Sequence, residues 1–138
     1  GYPCSKESGK LIRPALCLLS CEVVGGDISQ ILPAAAALEL IHNFSLIHDD
    51  IEDASSERHH QPPVWKLWGK PQAINAGDAM SALAYQVLLR LKRRGIGEGK
   101  IIQVTQMLSQ AYIELCEGQY SDIAYENALI LPLRITLT

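Results

Sequence analysis

Apolar residues recur at three- and four-residue intervals along most of this chain, and strict alternation is scarce, so the pattern predicts helices rather than a sheet. A first helix starts near Pro14, a residue suited to a first turn, and reaches about Val24 before Gly25-Gly26 stop it. Asp27 or Ser29 can cap a second helix, which tolerates Pro33 near its start and continues through HDDIED at 48–53. Residues 55–71, SSERHHQPPVWKLWGKP, carry three prolines and a glycine and read as a long loop with room for one short turn. A third helix follows from about Gln72 to Arg93, and after Gly95, Gly97 and Gly99 a fourth runs from about Lys100 to Tyr125. The stretch NALILPLRITLT at 127–138 changes character: it is apolar, β-branched and interrupted by Pro132. It reads as a short strand, a frayed or disordered tail, or the point where a reading frame or domain has been cut. The expectation is one all-α unit over residues 1–126 and an atypical tail over 127–138.

The second helix has a polar wall. At about 100° per residue from Glu39, His42, Asp49 and Asp53 fall near 300°, 280° and 320°, and Asn43 and Asp50 near 40° and 20°. Leu40, Ile41, Phe44, Ile47 and Ile51 occupy the opposite side, while Leu38 and Leu46 break the pattern. That marks a central helix with one polar face turned to a cavity. Asp49 and Asp53 stack one turn apart with Asp50 leaning aside. Such carboxylates repel by about 1 kcal/mol per pair in water, and the nearby helix C-terminus also disfavours anions. A hard divalent cation removes both penalties, and Mg²⁺ commonly takes one or two carboxylates with water and substrate phosphates completing its shell. D-D-x-x-D on a helix is therefore a platform for a Mg²⁺-diphosphate, or else a solvated acidic helix end. The surrounding cations favour the first. Lys10 and Arg13 stand three apart at the start of the first helix, where free N–H groups and the dipole add to their charge. His42 lies on the acidic face roughly 10 Å before Asp49, and Arg58 follows the cluster by five residues. Two sets of cations around one acidic cluster suit two anions, one held through metal and one held directly.

Composition adds mostly exclusions. The 138 residues are 48% apolar and 20% charged, enough for one domain with a core. A net charge of −3 with a single basic block, Lys92-Arg93-Arg94, argues against nucleic acid as a partner. Cys4, Cys17, Cys21 and Cys116 form no C-x-x-C pair, so no zinc knuckle or redox motif is signalled, and they suit a reducing cytoplasm. No apolar run approaches the roughly 20 residues of a membrane span, no signal peptide is visible, and the first residue is Gly1 rather than Met.

Four stretches together resemble the trans-isoprenyl diphosphate synthases, or polyprenyl synthetases: GKLIRP (9–14), LELIHNFSLIHDDIEDASSERH (38–59), QPPVWKLWGKPQAINAGD (61–78) and EGQYSDIAYE (117–126). The resemblance implies an isoprenoid-synthase-type helical bundle, here about its N-terminal half. The implied reaction is condensation of isopentenyl diphosphate with an allylic prenyl diphosphate. By the same resemblance Asp49, Asp50 and Asp53 form the first aspartate-rich motif, with Asp49 and Asp53 the Mg²⁺ ligands. Arg58 matches the grip on the allylic diphosphate, and Lys10, Arg13 and His42 match the isopentenyl diphosphate pocket. Gln119 and Asp122 match family positions that line the cavity near the metal, and Phe44, with Ser45 beside it, matches the floor of the product tunnel. Gly77 is read as a close helix contact, and Trp65 and Trp68 as loop anchors. A homodimer or heteromer is expected by the same analogy.

The chain departs from the family in two places. His59 stands where a second arginine is usual, and a neutral imidazole holds a diphosphate less firmly. No Lys-Thr motif or second aspartate-rich motif follows Tyr125. The expectation is therefore a chain weak or inactive alone; the alternative is a non-catalytic subunit pairing with a full-length synthase. A terpene cyclase, which also uses D-D-x-x-D, has no use for GKLIRP, His42 or EGQYSD.

Overall fold

The computed structural model describes the backbone of residues 11–135 and the side chains of residues 11–125. Its helices are α1 (Ile12–Val23), α2 (Ile28–Glu52), α3 (Val64–Trp68), α4 (Lys70–Leu88) and α5 (Glu98–Ile135), with a 3-10 segment at Leu89–Arg94. Among the described residues no strand is present, only an isolated bridge between Arg58 and Gln61. The protein is all-α, as the periodicity requires.

Local chemistry sets most boundaries. Gly25 at φ 77° ends α1 in the left-handed region that suits glycine. The Asp27 carboxylate accepts the Ser29 N–H at 2.8 Å and caps α2. The short turn allowed within 55–71 is α3. Two segments differ from expectation. The end of the third predicted helix tightens into 3-10 geometry at Leu89, since a terminal turn in either form buries the same stripe. Helix α5 runs to Ile135, through the stretch read as strand or tail, because extending an existing helix is far easier than starting a new element.

The chain divides into Gly1–Ile102 and Gln103–Thr138. In the first unit α2 is central, packing most extensively on α4, then on α1, with the 3-10 segment and α3 completing its surroundings. The core consists of Ala35, Ala37, Ile41 and Phe44 from α2, Ala73, Ala84 and Leu88 from α4, Leu91, and Ile101 near the start of α5. Phe44 and Leu88 are its largest fully buried side chains. Alanines at so many contact positions let the α2 and α4 backbones approach closely. Helix α2 is 25 residues long and contains an 18-residue window of mean hydropathy 1.3, so by length and composition alone it could cross a membrane, which corrects the expectation that no segment could. Its apolarity follows from having neighbours on several flanks, and its polar face and acidic end are occupied by the features described below.

Gly77 on α4 lies directly against the His48 ring of α2. A Cβ there would run into the imidazole of His48. Gly77→Ala is expected to lower stability by about 1–3 kcal/mol through overpacking, read from the urea midpoint. An unchanged midpoint would mean that the ring moves aside freely.

Candidate functional site

The last two turns of α2 carry the acidic cluster, and the loop after it folds back over them. Helix α2 ends in a Schellman arrangement: the Ser55 N–H donates to the Asp50 carbonyl at 3.0 Å and the Ala54 N–H to the Ile51 carbonyl at 3.3 Å. Ala54 takes the left-handed position at φ 49°, which usually falls to glycine. The chain then turns again at Arg58–Gln61, whose backbones exchange hydrogen bonds of 2.8 and 3.0 Å around His59 (φ 50°) and His60 (φ 60°). Two central residues at positive φ are the mark of a type I′ turn. The indole N–H of Trp65 donates to the Ser55 carbonyl at 3.1 Å, with Lys66 and Lys70 over its ring, so Trp65 anchors the loop as expected.

This path delivers Arg58 to Asp50. The guanidinium Nε lies 2.9 Å from both carboxylate oxygens and a terminal nitrogen 2.9 Å from Oδ1. Asp50 is 3% exposed, so its charge is removed from solvent and answered by one arginine. The sequence placed Asp50 in the acidic motif and Arg58 on an anion; it did not foresee that the two meet across the loop.

Asp49 remains half-buried and Asp53 exposed. Burial raises the Asp49 carboxyl above its ordinary range, the neighbouring charges of Glu52 and Asp53 push it further, and Arg58 and Asp50 act with opposite signs. Among the described residues no three His, Cys, Asp or Glu side chains form a metal cage. Two carboxylates one turn apart, one of them electrostatically uncomfortable, nevertheless fit the partial protein shell that Mg²⁺ usually takes.

His42 is half-buried on the same wall. Burial holds its imidazole below the usual value; Arg13 adds to this, Arg58 reinforces it, and Glu39 and Asp49 oppose it. One ring thus senses Arg13 on α1, Arg58 in the loop and Asp49 on its own helix. Beside it the Asn43 amide is held by the Glu39 carbonyl and carboxylate at 2.7 and 3.0 Å. Because its folded pKa is depressed, His42 contributes stability that is present above the unfolded value of 6.5 and lost as pH falls through the folded value. An anion in the pocket reverses the bias. Followed by NMR, His42 is expected to titrate below 6.5 in the free chain and to shift upward with pyrophosphate. A midpoint indifferent to pyrophosphate removes His42 from the pocket.

Other predicted positions fall elsewhere. Lys10 lies outside the described residues, and Arg13 is exposed in the first turn of α1. His59 is exposed, and neighbouring His60 pairs with Glu57 at 3.0 Å. Phe44 is 2% exposed, its ring edge-to-face with His48 at 5.7 Å, and the Ser45 hydroxyl donates to the His42 carbonyl at 2.9 Å. Gln119, half-buried, and Asp122, exposed, belong to α5 in the second unit.

Comparison with known proteins gives a consistent result. The polyprenyl synthetase family model matches residues 3–132. A (2E,6E)-farnesyl diphosphate synthase of Mycobacterium tuberculosis is 42% identical over 127 residues, 92% of this chain and 34% of its own. A short chain isoprenyl diphosphate synthase of Methanocaldococcus jannaschii is 45% identical over 119 residues, 86% of this chain and 35% of its own. Among solved structures, geranylgeranyl pyrophosphate synthetase from Pyrococcus horikoshii superposes with a TM-score of 0.82 at 41% identity, covering 86% of this chain and 36% of that one. A polyprenyl synthetase from Streptomyces coelicolor gives 0.79 at 46% identity, covering 88% and 35%. The chain spans about a third of the length of these curated relatives. With its acidic helix end, its looped-back arginine and a family match over nearly all its residues, this chain belongs to the polyprenyl synthetase family.

Proposed function

We propose that the chain forms the first diphosphate-binding wall of a prenyltransferase that joins isopentenyl diphosphate to an allylic prenyl diphosphate. The observation that carries this reading is the half-buried Asp49 beside the buried Asp50–Arg58 pair. Asp49 and Asp53 would hold Mg²⁺, which when bound neutralises charge building on the departing diphosphate. Arg58, oriented by Asp50, presents the remaining donors of its guanidinium to the same allylic diphosphate. Lys10, Arg13 and His42 bind the isopentenyl diphosphate, with His59 a weaker contributor than an arginine. Gln119 and Asp122 are assigned to the cavity lining by family likeness. A dry apolar tunnel would exclude water from the allylic cation as the carbon–oxygen bond breaks and the carbon–carbon bond forms. The final proton leaves to the released diphosphate, so no protein nucleophile is required. Phe44, with Ser45, is proposed to limit the length of the growing prenyl chain.

Since the chain covers about a third of its relatives' length, these 138 residues are expected to be weak or inactive as catalysts alone, while binding diphosphate in a Mg²⁺-dependent way. Isopentenyl and geranyl diphosphates with Mg²⁺ test both parts. Robust turnover refutes the first expectation, and absence of Mg²⁺-dependent binding refutes the site. The apolar face of α1 formed by Ile12, Leu16, Leu19 and Val23, each at least 55% exposed, supports assembly as a homodimer or heteromer.

A further inference from the structure

The end of α2 is held from two sides. On one side Asp50 is gripped by Arg58. On the other stands His48, a residue with no part in the diphosphate chemistry. Its ring meets Phe44 edge-to-face at 5.7 Å and an interplanar angle of 82°. Its Nε2–H tautomer donates to the Ile74 carbonyl on α4 at 3.3 Å, and Asp78 Oδ1 lies 3.7 Å from the same nitrogen. The ring fills the space over Gly77 so closely that no Cβ fits there. His48 therefore ties one azimuth of α2 to a single place on α4, through shape as much as through hydrogen bonding.

We propose that His48 is a positioning residue for the Mg²⁺-binding carboxylates. At about 100° per residue, Asp49 lies near 100° from His48, Asp53 near 140° and Asp50 near 200°. Asp49 and Asp53 thus project from the sector between two anchors, the α4 contact at His48 and the loop contact at Asp50. Loosening the His48 anchor lets the last turns of α2 rotate or fray, and both carboxylates lose their shared aim. Groups that orient a metal site from behind its ligands commonly change affinity by about 10–100-fold when removed. The inference rests on the Mg²⁺-diphosphate reading of Asp49 and Asp53.

The test uses the full chain, Mg²⁺ and inorganic pyrophosphate in calorimetric titrations, together with thermal melting. His48→Ala is expected to weaken Mg²⁺-dependent pyrophosphate binding about tenfold at temperatures well below its melting point. His48→Gln, which keeps a donor for the Ile74 carbonyl, should recover part of that loss. Leu88→Ala, which opens the same helix interface away from the acidic turn, should melt earlier yet bind within about twofold of the parent. Gly77→Ala should depress the melting temperature less in the His48→Ala background than in the parent, because the ring it strikes is gone. Equal binding by His48→Ala and the parent overturns the inference while leaving the site reading intact. Equal weakening by His48→Ala and Leu88→Ala also overturns it, since general destabilisation would then suffice. A parent chain that binds no Mg²⁺-pyrophosphate overturns the site reading and this inference with it.

Discussion

Arg58→Ala is expected to destabilise the chain by about 3 kcal/mol, more than any surface substitution should. The reason lies in the carboxylate left behind. Asp50 is 3% exposed and receives its charge-assisted hydrogen bonds from Arg58. Breaking a buried pair by removing one partner typically costs about 3–5 kcal/mol, because the other charge stays desolvated and unanswered. The lower end applies here, since the Arg58 side chain is 33% exposed and the intact pair is already partly wet. Asp50→Ala should cost less, because an exposed guanidinium rehydrates where a buried carboxylate cannot. The double variant should recover most of the Arg58→Ala loss. Arg58→Lys keeps the charge but not the planar fork that reaches both carboxylate oxygens, so it should fall between. Urea unfolding of the four variants closes the cycle. A double variant no better than the sum of the singles would mean that the pair contributes no coupling.

The same pair shows where the sequence was legible and where it was not. The carboxylates at 49, 50 and 53 share a helix face by spacing alone, and Asp27 and Gly25 announce the start of α2 and the end of α1 through chemistry that acts over a few residues. Gly77 could be read as a close contact because glycine inside a helical pattern has few other uses. The loop that brings Arg58 back was hidden. Its left-handed positions are filled by Ala54, His59 and His60, so the usual glycine or asparagine signal for such turns is absent. What fixes the loop is tertiary: Arg58 on Asp50 and Trp65 on the Ser55 carbonyl. Trp65 could be read as an anchor but not its partner, and the Arg58 contact has no period or propensity to betray it. His48 was missed for a related reason. In sequence it is one more polar residue before an acidic run, and only the position of α4 gives it Ile74, Gly77 and Phe44 as partners.

Asp49→Asn should separate function from stability by moving them in opposite directions. In the metal-free chain the Asp49 carboxyl is raised by burial and by the charges of Glu52 and Asp53, so its ionised form is a burden on the fold. The folded state holds that proton more tightly than the unfolded state does. Stability therefore falls as pH rises past the unfolded value of 3.8 and through the raised folded value. Asn removes the burden, so the variant should melt higher than the parent at neutral pH without Mg²⁺, with a flatter pH dependence. Ligand binding should go the other way. Two unit charges about 4 Å apart interact by about 4 kcal/mol at an effective dielectric of 20, and a divalent ion doubles the charge on one side. Allowing for hydration of the free ion, losing one of the two proposed carboxylate ligands should weaken Mg²⁺-dependent binding of geranyl diphosphate by at least about a hundredfold. Asp53→Asn should weaken binding similarly but stabilise the free chain less, since Asp53 is exposed and its charge is better screened. Paired melting and calorimetric titrations of parent and variants measure both. A variant that melts higher yet binds Mg²⁺ and diphosphate like the parent would show that the acidic turn is merely a solvated helix end.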